Sequence, residues 1–204
     1  MANNMVNPSS RQAIELVRDA GIMRSRHLRK RGIHPESLRR LEQQGMLVRS
    51  ARGVYTLPEN DLTENQSEVE ACARVSHGIV CLLSALRFHG LTTQAPFEVW
   101  MAIANKARPP KDDILPLRIV YMSGKALTEG IEEHYCAGLP VRVYGVAKTV
   151  VDCFKYRHKI GIDVALEALR ESWYGDRCTM NELWHYAQIC RVTRVIYPYL
   201  ESLT

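Results

Sequence analysis

Basic side chains are concentrated in the first quarter of the chain, where their type and spacing suit the binding of a polyanion. Residues 1–57 contain eleven arginines and lysines against four acidic residues, a net charge of +7, although the whole chain carries only +5. The remaining residues therefore carry a net charge of −2. Guanidinium and ammonium groups at this density attract phosphates, whereas a solvated charged surface is the ordinary alternative. The choice between a polyanion-binding surface and a solvated charged surface therefore depends on the helices and strands that position these side chains.

The pattern around the basic residues predicts three helices followed by a hairpin. Apolar residues at helical spacing in RQAIELVRDAG predict a first helix that ends before Gly21. Ser25 is placed to cap a short second helix, and His34 and Pro35 open a third. The runs MLVR and VYTL, joined by the turn SARG, predict two strands. Three helices followed by a two-stranded wing are typical of a winged helix-turn-helix.

This arrangement gives the basic residues separate tasks, because the third helix of such a module enters the major groove of DNA. Near the start of that helix, three residues off its apolar face are expected to read bases: His34, Ser37 and Arg40. Four side chains from the second helix are expected to contact phosphates: Arg26, Arg29, Lys30 and Arg31. The wing contributes Arg49 and Arg52, and Arg24, Arg39 and Gln43 complete the DNA-binding set. In the alternative reading Arg39 pairs with Glu36 or Glu42, or the module binds a protein.

The rest of the chain reads as a second domain. Residues 58–62, PENDL, predict a linker, and residues 63–204 predict a small sheet covered by helices, so the whole chain is α+β. Thr63 and Gln66 have capping-box spacing at the start of a helix. The strand candidates are FEVWMAI, LRIVYMS and LPVRVYG, and the helix candidates are CLLSALRFHGL, AKTVVDCFKYRH, GIDVALEALRES, TMNELWHYAQIC and RVIYPYLESL.

Two polar clusters stand out in this second domain. Ser84, Arg87 and His89 lie near one helix end, and Lys148 and Asp152 lie one helical turn apart. Structural roles are favoured for both: His89 can interact with a helix C-terminus, and Asp152 can bridge buried polar groups. The sequence has no phosphate-binding loop, zinc-protease motif, nucleophile elbow or dinucleotide fingerprint. We therefore expect no enzyme activity, no cofactor and no metal.

The six cysteines are scattered and form no C-x-x-C pair, which indicates reduced thiols in place of a zinc site or a disulfide framework. There is no apolar run long enough to cross a membrane and no recognisable signal peptide. We therefore expect a cytoplasmic protein with no membrane partner.

Three segments in order resemble the AbiEi-type antitoxins of bacterial type IV, abortive-infection toxin-antitoxin systems. They are LRKRGIHPESLRRLEQQGMLVRSARGVYTL, LLSALRFHGLTTQAPFEVWMAI and GLPVRVYGVAKTVVDCFKYRHKIGIDVALEALRE. The resemblance implies a DNA-binding repressor of its own operon, acting on double-stranded operator DNA. It also implies a C-terminal domain that opposes a co-encoded nucleotidyltransferase toxin in phage defence without forming a stable toxin complex. The candidate residues for that antitoxin domain are Ser84, Arg87, His89, Lys148 and Asp152.

Two other functions remain open from the sequence. The chain could be a plain winged-helix regulator whose second domain senses a ligand or pairs subunits. It could also be a nucleic-acid-processing enzyme, although the carboxylates a metal-dependent nuclease needs fall in loop-like stretches here. These acidic residues are Asp112, Asp113, Glu129, Glu132 and Glu133.

Overall fold

The structure, a computed structural model, describes most of the chain: residues 8–51, 53–58, 65–94, 96–110, 115–136 and 139–203. The fold is α+β with small sheets, as the sequence predicts. It divides into two compact units, Met1–Ser76 with Tyr135–Val141, and His77–His134 with Arg142–Thr204. The division into a head of residues 1–57, a linker and a body stays a prediction. Residues 59–62 of the linker and Thr63 of the capping box lie outside the described residues.

The first unit contains the three predicted helices and the wing. Its elements are α1 (Pro8–Ala20), β1 (Ile22–Arg24), α2 (Ser25–Lys30), α3 (Pro35–Gln43), β2 (Val48–Ala51), β3 (Val54–Thr56) and α4 (Gln66–Arg74). The wing is a three-stranded antiparallel sheet in the order β1-β3-β2. The sequence predicted β2 and β3 from the tight turn between them, but not β1, which no tight turn joins to either strand.

Apolar residues at helical spacing build the core of this unit. Ala13 and Val17 of α1, Leu28 of α2, and Leu38 and Leu41 of α3 are all buried in one cluster. The interior is therefore filled by aliphatic side chains, which leaves the basic residues between them on the outside.

The predicted cap of the second helix is wrong. Ser25 is the first residue of α2, and Arg24 occupies the N-cap position without a side-chain hydrogen bond. The backbone N–H of Ser25 is satisfied instead by the carbonyl of Gly53, 2.7 Å away in the wing. A tertiary contact thus replaces the local cap.

The second unit has its core between a sheet and several helices. The remaining elements of the chain are β4 (Ile79–Val80), α5 (Leu82–Phe88), β5 (Val99–Ala104), β6 (Leu117–Met122), α6 (Lys125–Thr128), β7 (Ile131–Cys136), β8 (Leu139–Tyr144), α7 (Val146–Lys155), α8 (Arg157–Ile160), α9 (Ile162–Tyr174), α10 (Met180–Cys190) and α11 (Thr193–Glu201). The end of β7 from Tyr135 and the start of β8 up to Val141 are assigned to the first unit. The strand order is β6-β5-β4-β8-β7. β5 runs parallel to β6 and antiparallel to β4, and β4 is parallel to β8.

Helix α7 of this unit is buried from Ala147 to Phe154. Val150, Val151, Cys153 and Phe154 are fully buried in the core cluster of the second unit. The single helix predicted for residues 147–158 is in fact two, because α7 ends at Lys155 and α8 begins at Arg157.

Candidate nucleic-acid interface

The start of α3 is fixed by residues suited to a helix N-terminus. Pro35 occupies the first helical turn, where its missing N–H costs no hydrogen bond. His34 precedes it, and its Nδ1 accepts a hydrogen bond from the backbone N–H of Glu36 at 3.2 Å. His34 is therefore a cap as well as a predicted base reader. The neutral ring then carries its proton on Nε2, the nitrogen left for a DNA contact.

One face of α3 is left for a partner. Its exposed residues are Glu36, Arg39, Arg40 and Gln43, while Ser37 is half-buried. Arg40 leans towards α1, because its Nη2 donates to the hydroxyl of Ser10 at 3.4 Å. Arg39 lies on the other flank of the helix, where it lines a groove. The two arginines of α3 thus point to opposite sides of the exposed face.

The groove beside α3 is an open cavity of about 500 Å³ bounded by α2, α3 and the wing. Each of these elements supplies one arginine to it: Arg29, Arg39 and Arg49. Glu42 also lines it, yet among the described residues no ion pair forms with any of the three guanidinium groups. The alternative pairing of Arg39 with Glu36 or Glu42 is therefore not found. The groove is therefore lined by three guanidinium groups and one carboxylate, which leaves a net positive charge.

The wing is held against α2 by a close backbone contact. Gly53 adopts a φ of +72°, a left-handed conformation that suits glycine. A Cβ at this position would lie 2.9 Å from the hydroxyl oxygen of Ser25, and the carbonyl of Gly53 accepts the Ser25 N–H. The position of Arg49 relative to α2 therefore depends on this contact. Arg52, the other predicted wing residue, lies outside the described residues.

The second helix has a strong local positive potential. Burial lowers the pKa of His27, and so do four cationic neighbours: Arg26, Lys30, Arg24 and Arg31. Arg26, Lys30 and Arg31 are exposed. Arg24 differs from them, because it is half-buried, burial lowers its pKa, and its Nε has no hydrogen-bond partner among the described residues. A phosphate near α2 would be attracted by several charges at once.

The first polar cluster of the second unit holds elements together. Ser84 is fully buried and accepts a hydrogen bond from the backbone N–H of Trp100 at 2.9 Å, which joins α5 to β5. His89 Nε2 lies 2.8 Å from the carbonyl of Tyr144 and therefore donates to it. Burial lowers the pKa of His89. Arg87 is half-exposed in the last turn of α5.

The second cluster is a buried ion pair. Lys148 and Asp152 are both fully buried, and Nζ donates to Oδ2 at 2.5 Å. The ammonium also lies 4.0 Å from the centroid of the Tyr144 ring, and the thiol of Cys190 donates to Asp152 Oδ1 at 3.2 Å. Burial raises the pKa of Asp152, and Lys148 opposes that rise. In this conformation neither charged side chain reaches the surface.

The described part of the chain contains no group of three His, Cys, Asp or Glu side chains arranged to hold a metal ion. Nor does any described helix combine the length and apolar character needed to cross a membrane.

Exposed cations around a recognition helix and a wing define the class of DNA-binding regulators with a winged helix-turn-helix. Residues 11–58 match the family model described as "Transcriptional regulator, AbiEi antitoxin". The resemblance to the AbiEi-type antitoxins is thereby confirmed for the part of the chain that contains α1, α2, α3 and the wing. This match supports a DNA-binding antitoxin.

The whole fold has a counterpart among solved structures. It is similar to the crystal structure of the RV2827C protein from Mycobacterium tuberculosis, with a TM-score of 0.60 and 15% sequence identity. The match covers 92% of this chain and 73% of that one. At this identity the likeness establishes the fold alone. No curated protein matches the chain.

Proposed function

We propose that the protein is an autorepressing antitoxin, in which the winged helix-turn-helix binds operator DNA and the second domain counteracts a co-encoded nucleotidyltransferase toxin. The observation that carries the DNA-binding part is the groove lined by Arg29, Arg39 and Arg49. Three unpaired guanidinium groups from α2, α3 and the wing suit a phosphate backbone that passes between these elements.

The proposed contacts divide into positioning and reading. Three cations in or next to α2 bind phosphates and fix the register of α3 on the duplex: Arg26, Lys30 and Arg31. His34, through Nε2, and the exposed side chains of α3 reach base edges in the major groove. Arg40 is held near Ser10 in the free protein, so reading a base with it requires breaking a 3.4 Å hydrogen bond. Ser37, Gln43 and Arg24 complete the proposed DNA surface.

The proposed antitoxin activity resides in the second domain and needs no stable complex with the toxin. Ser84, His89, Lys148 and Asp152 support it, because each is hydrogen-bonded to another element or side chain. Arg87 and His89 are the members of the set with half-exposed side chains. The buried residues Ser84, Lys148 and Asp152 therefore support the surface that acts against the toxin, and Arg87 and His89 are the candidates that can be part of it.

The test compares two triple variants of the full chain that remove the same charge. The groove variant carries Arg29→Ala, Arg39→Ala and Arg49→Ala. The control variant removes three exposed arginines that do not line the groove: Arg11, Arg18 and Arg170. Binding to a duplex of the region upstream of the gene is measured by fluorescence anisotropy, and repression by a reporter fused to that region.

We expect the groove variant to lose binding and repression while the control retains both. Each protein is also expressed with the toxin from unrelated promoters, and we expect both variants to rescue growth. Equal DNA binding by the two variants contradicts the assigned interface. Failure of a well-folded wild-type chain to protect against the neighbouring nucleotidyltransferase contradicts the antitoxin role and favours a plain regulator.

A further inference from the structure

A second basic surface lies in the second unit, at the end of α7 and in α8. Residues 155–159 read KYRHK and place two lysines, an arginine and a histidine within five positions. The surrounding sequence is not basic, because residues 58–204 carry a net charge of −2. We call residues 155–159 together with Tyr121 the basic-aromatic patch.

Tyr156 organises the cations of this patch. The ammonium groups of Lys155 and Lys159 lie 5.8 and 5.6 Å from the centroid of its ring, within the range of cation–π attraction. Its hydroxyl donates to the backbone carbonyl of Tyr121 at 3.4 Å. Burial, with a further contribution from Asp152, raises the pKa of Tyr156 to about 12. The phenol therefore stays neutral and does not cancel the neighbouring positive charge.

The cations of the patch are available to a partner. Arg157 Nη1 donates to the carbonyl of Phe154 at 3.0 Å, a contact that orients the guanidinium without neutralising it. No described carboxylate lies within ion-pair distance of Lys155, Arg157 or Lys159. Elsewhere in this unit Arg118 pairs with Glu98 at 3.7 Å. Three unpaired cations thus lie at nearby positions of the chain.

The exposed aromatic residue Tyr121 is linked to this cluster through its backbone carbonyl, which accepts the Tyr156 hydroxyl. Tyr121 lies near the end of β6, the strand at one edge of the sheet, and is 44% exposed. Its neighbours Val120 and Met122 are buried, so the ring lies on the opposite side of the strand. A solvent-exposed ring on a residue that contacts a cluster of unpaired cations is a combination that suits single-stranded nucleic acids, with phosphates on the cations and a base stacked on the ring.

We propose that the basic-aromatic patch binds single-stranded nucleic acid, independently of the DNA interface around α3. The exposed ring favours a single strand over a duplex, because the bases of a duplex are stacked on each other and cannot cover Tyr121. In this arrangement Lys155, Arg157 and Lys159 bind successive phosphates. The binding is sequence-tolerant, since any base has a face that can stack.

The test uses the full chain with Arg29→Ala, Arg39→Ala and Arg49→Ala as background, so that the DNA interface contributes little to the signal. A fluorescein-labelled 15-nucleotide oligouridine is the probe, and anisotropy gives its affinity at several salt concentrations. The patch variant adds Lys155→Glu and Lys159→Glu. A matched control adds Arg170→Glu and Arg194→Glu, which change the net charge equally on exposed residues outside the patch.

We expect the patch variant to bind at least tenfold more weakly and the control to bind like the background. Loss of two phosphate contacts should reduce the magnitude of the slope of log K against log[salt] by about 1.4 for a single strand. Tyr121→Ala should weaken binding about tenfold, and Tyr121→Phe should leave it unchanged because the stacking ring is kept. If the glutamate variant does not fold, Lys155→Gln with Lys159→Gln replaces it.

Several results would overturn the proposal. One is an equal loss of affinity in the patch and control variants, and another is full binding by Tyr121→Ala. Equal affinity for a 15-base-pair duplex, or preferential binding of the patch to phosphatidylglycerol vesicles, would assign the surface to another partner. This experiment does not depend on the DNA interface around α3. The background variant lacks the three groove arginines, and the probe is oligouridine and not the duplex from upstream of the gene.

Discussion

Replacing Asp152 with alanine tests whether the buried pair with Lys148 is a structural element. The substitution leaves an ammonium group with no carboxylate partner at a site where the side chain is fully buried. Removing one partner of a buried pair costs about 3–5 kcal/mol. That is at least about a fifth of the roughly 5–15 kcal/mol by which a domain is stable. We therefore expect Asp152→Ala to be strongly destabilising.

The matched variant replaces both charged side chains with apolar side chains of similar volume. Lys148→Met with Asp152→Leu abolishes the ion pair, the hydrogen bond from Cys190 and the contact of the ammonium with the Tyr144 ring. Because both desolvation costs disappear as well, such replacements are often neutral or stabilising. We expect this double variant to lie within about 1 kcal/mol of the natural sequence.

Urea denaturation followed by tryptophan fluorescence measures both variants in the second unit. The three tryptophans of the chain, Trp100, Trp173 and Trp184, all belong to this unit, so the signal reports its unfolding. Toxin rescue should be lost with the fold in Asp152→Ala and kept in the double variant. A loss below about 1 kcal/mol for Asp152→Ala would refute the structural role. A stable double variant without rescue would instead assign function to the charges.

Three further predictions concern the DNA interface. Gly53→Ala should lower the free energy of unfolding by about 1–2 kcal/mol, because alanine disfavours the left-handed φ of this position, and it should weaken DNA binding. Adding Ser25→Ala should restore part of the stability and part of the DNA binding, because it removes the 2.9 Å clash with the Ser25 hydroxyl. The pKa of His27 is lowered from 6.5 in the free protein, and bound phosphates should raise it. Affinity for DNA should therefore increase as the pH falls through the interval between the bound and free pKa values, by at most about tenfold per pH unit, and His27→Gln should abolish this increase. Arg40→Ala should reduce discrimination at one base pair by about 1–3 kcal/mol, whereas Lys30→Ala should weaken binding to all sequences alike. If each variant loses the same affinity for operator and random DNA, the assignment of Arg40 to base reading is wrong.

The winged helix-turn-helix was predictable because its signals are local. Each signal comes from residues close together in the chain. Pro35 marks a helix start, glycines mark helix ends, and the spacing of Leu38 and Leu41 indicates the buried face of α3. The contact between Ser25 and Gly53 was not predictable, because a backbone hydrogen bond between distant residues leaves no side-chain pattern. The short strand β1 was missed for a related reason: its role depends on pairing with β3.

The second domain was less readable from its sequence. Burial of Asp152 followed from its apolar neighbours, but the complete burial of Lys148 did not, because lysine is rarely fully buried. Strand β4 has two residues, and β7 contains two glutamates and a histidine, so neither has an apolar alternation to detect. Tyr144, whose ring contacts the Lys148 ammonium, and Cys190, whose thiol donates to Asp152, come from other elements and are brought to the pair only by the fold.

The salt dependence of DNA binding tests the central claim most directly. Affinity of the full chain for a duplex of its own upstream region is measured over a range of salt concentrations, together with the groove variant Arg29→Ala, Arg39→Ala and Arg49→Ala. Each neutralised phosphate contributes about −0.9 to the slope of log K against log[salt], so we predict a steep slope whose magnitude falls by about 2.7 in the groove variant. An identical slope and affinity in both proteins would contradict the account.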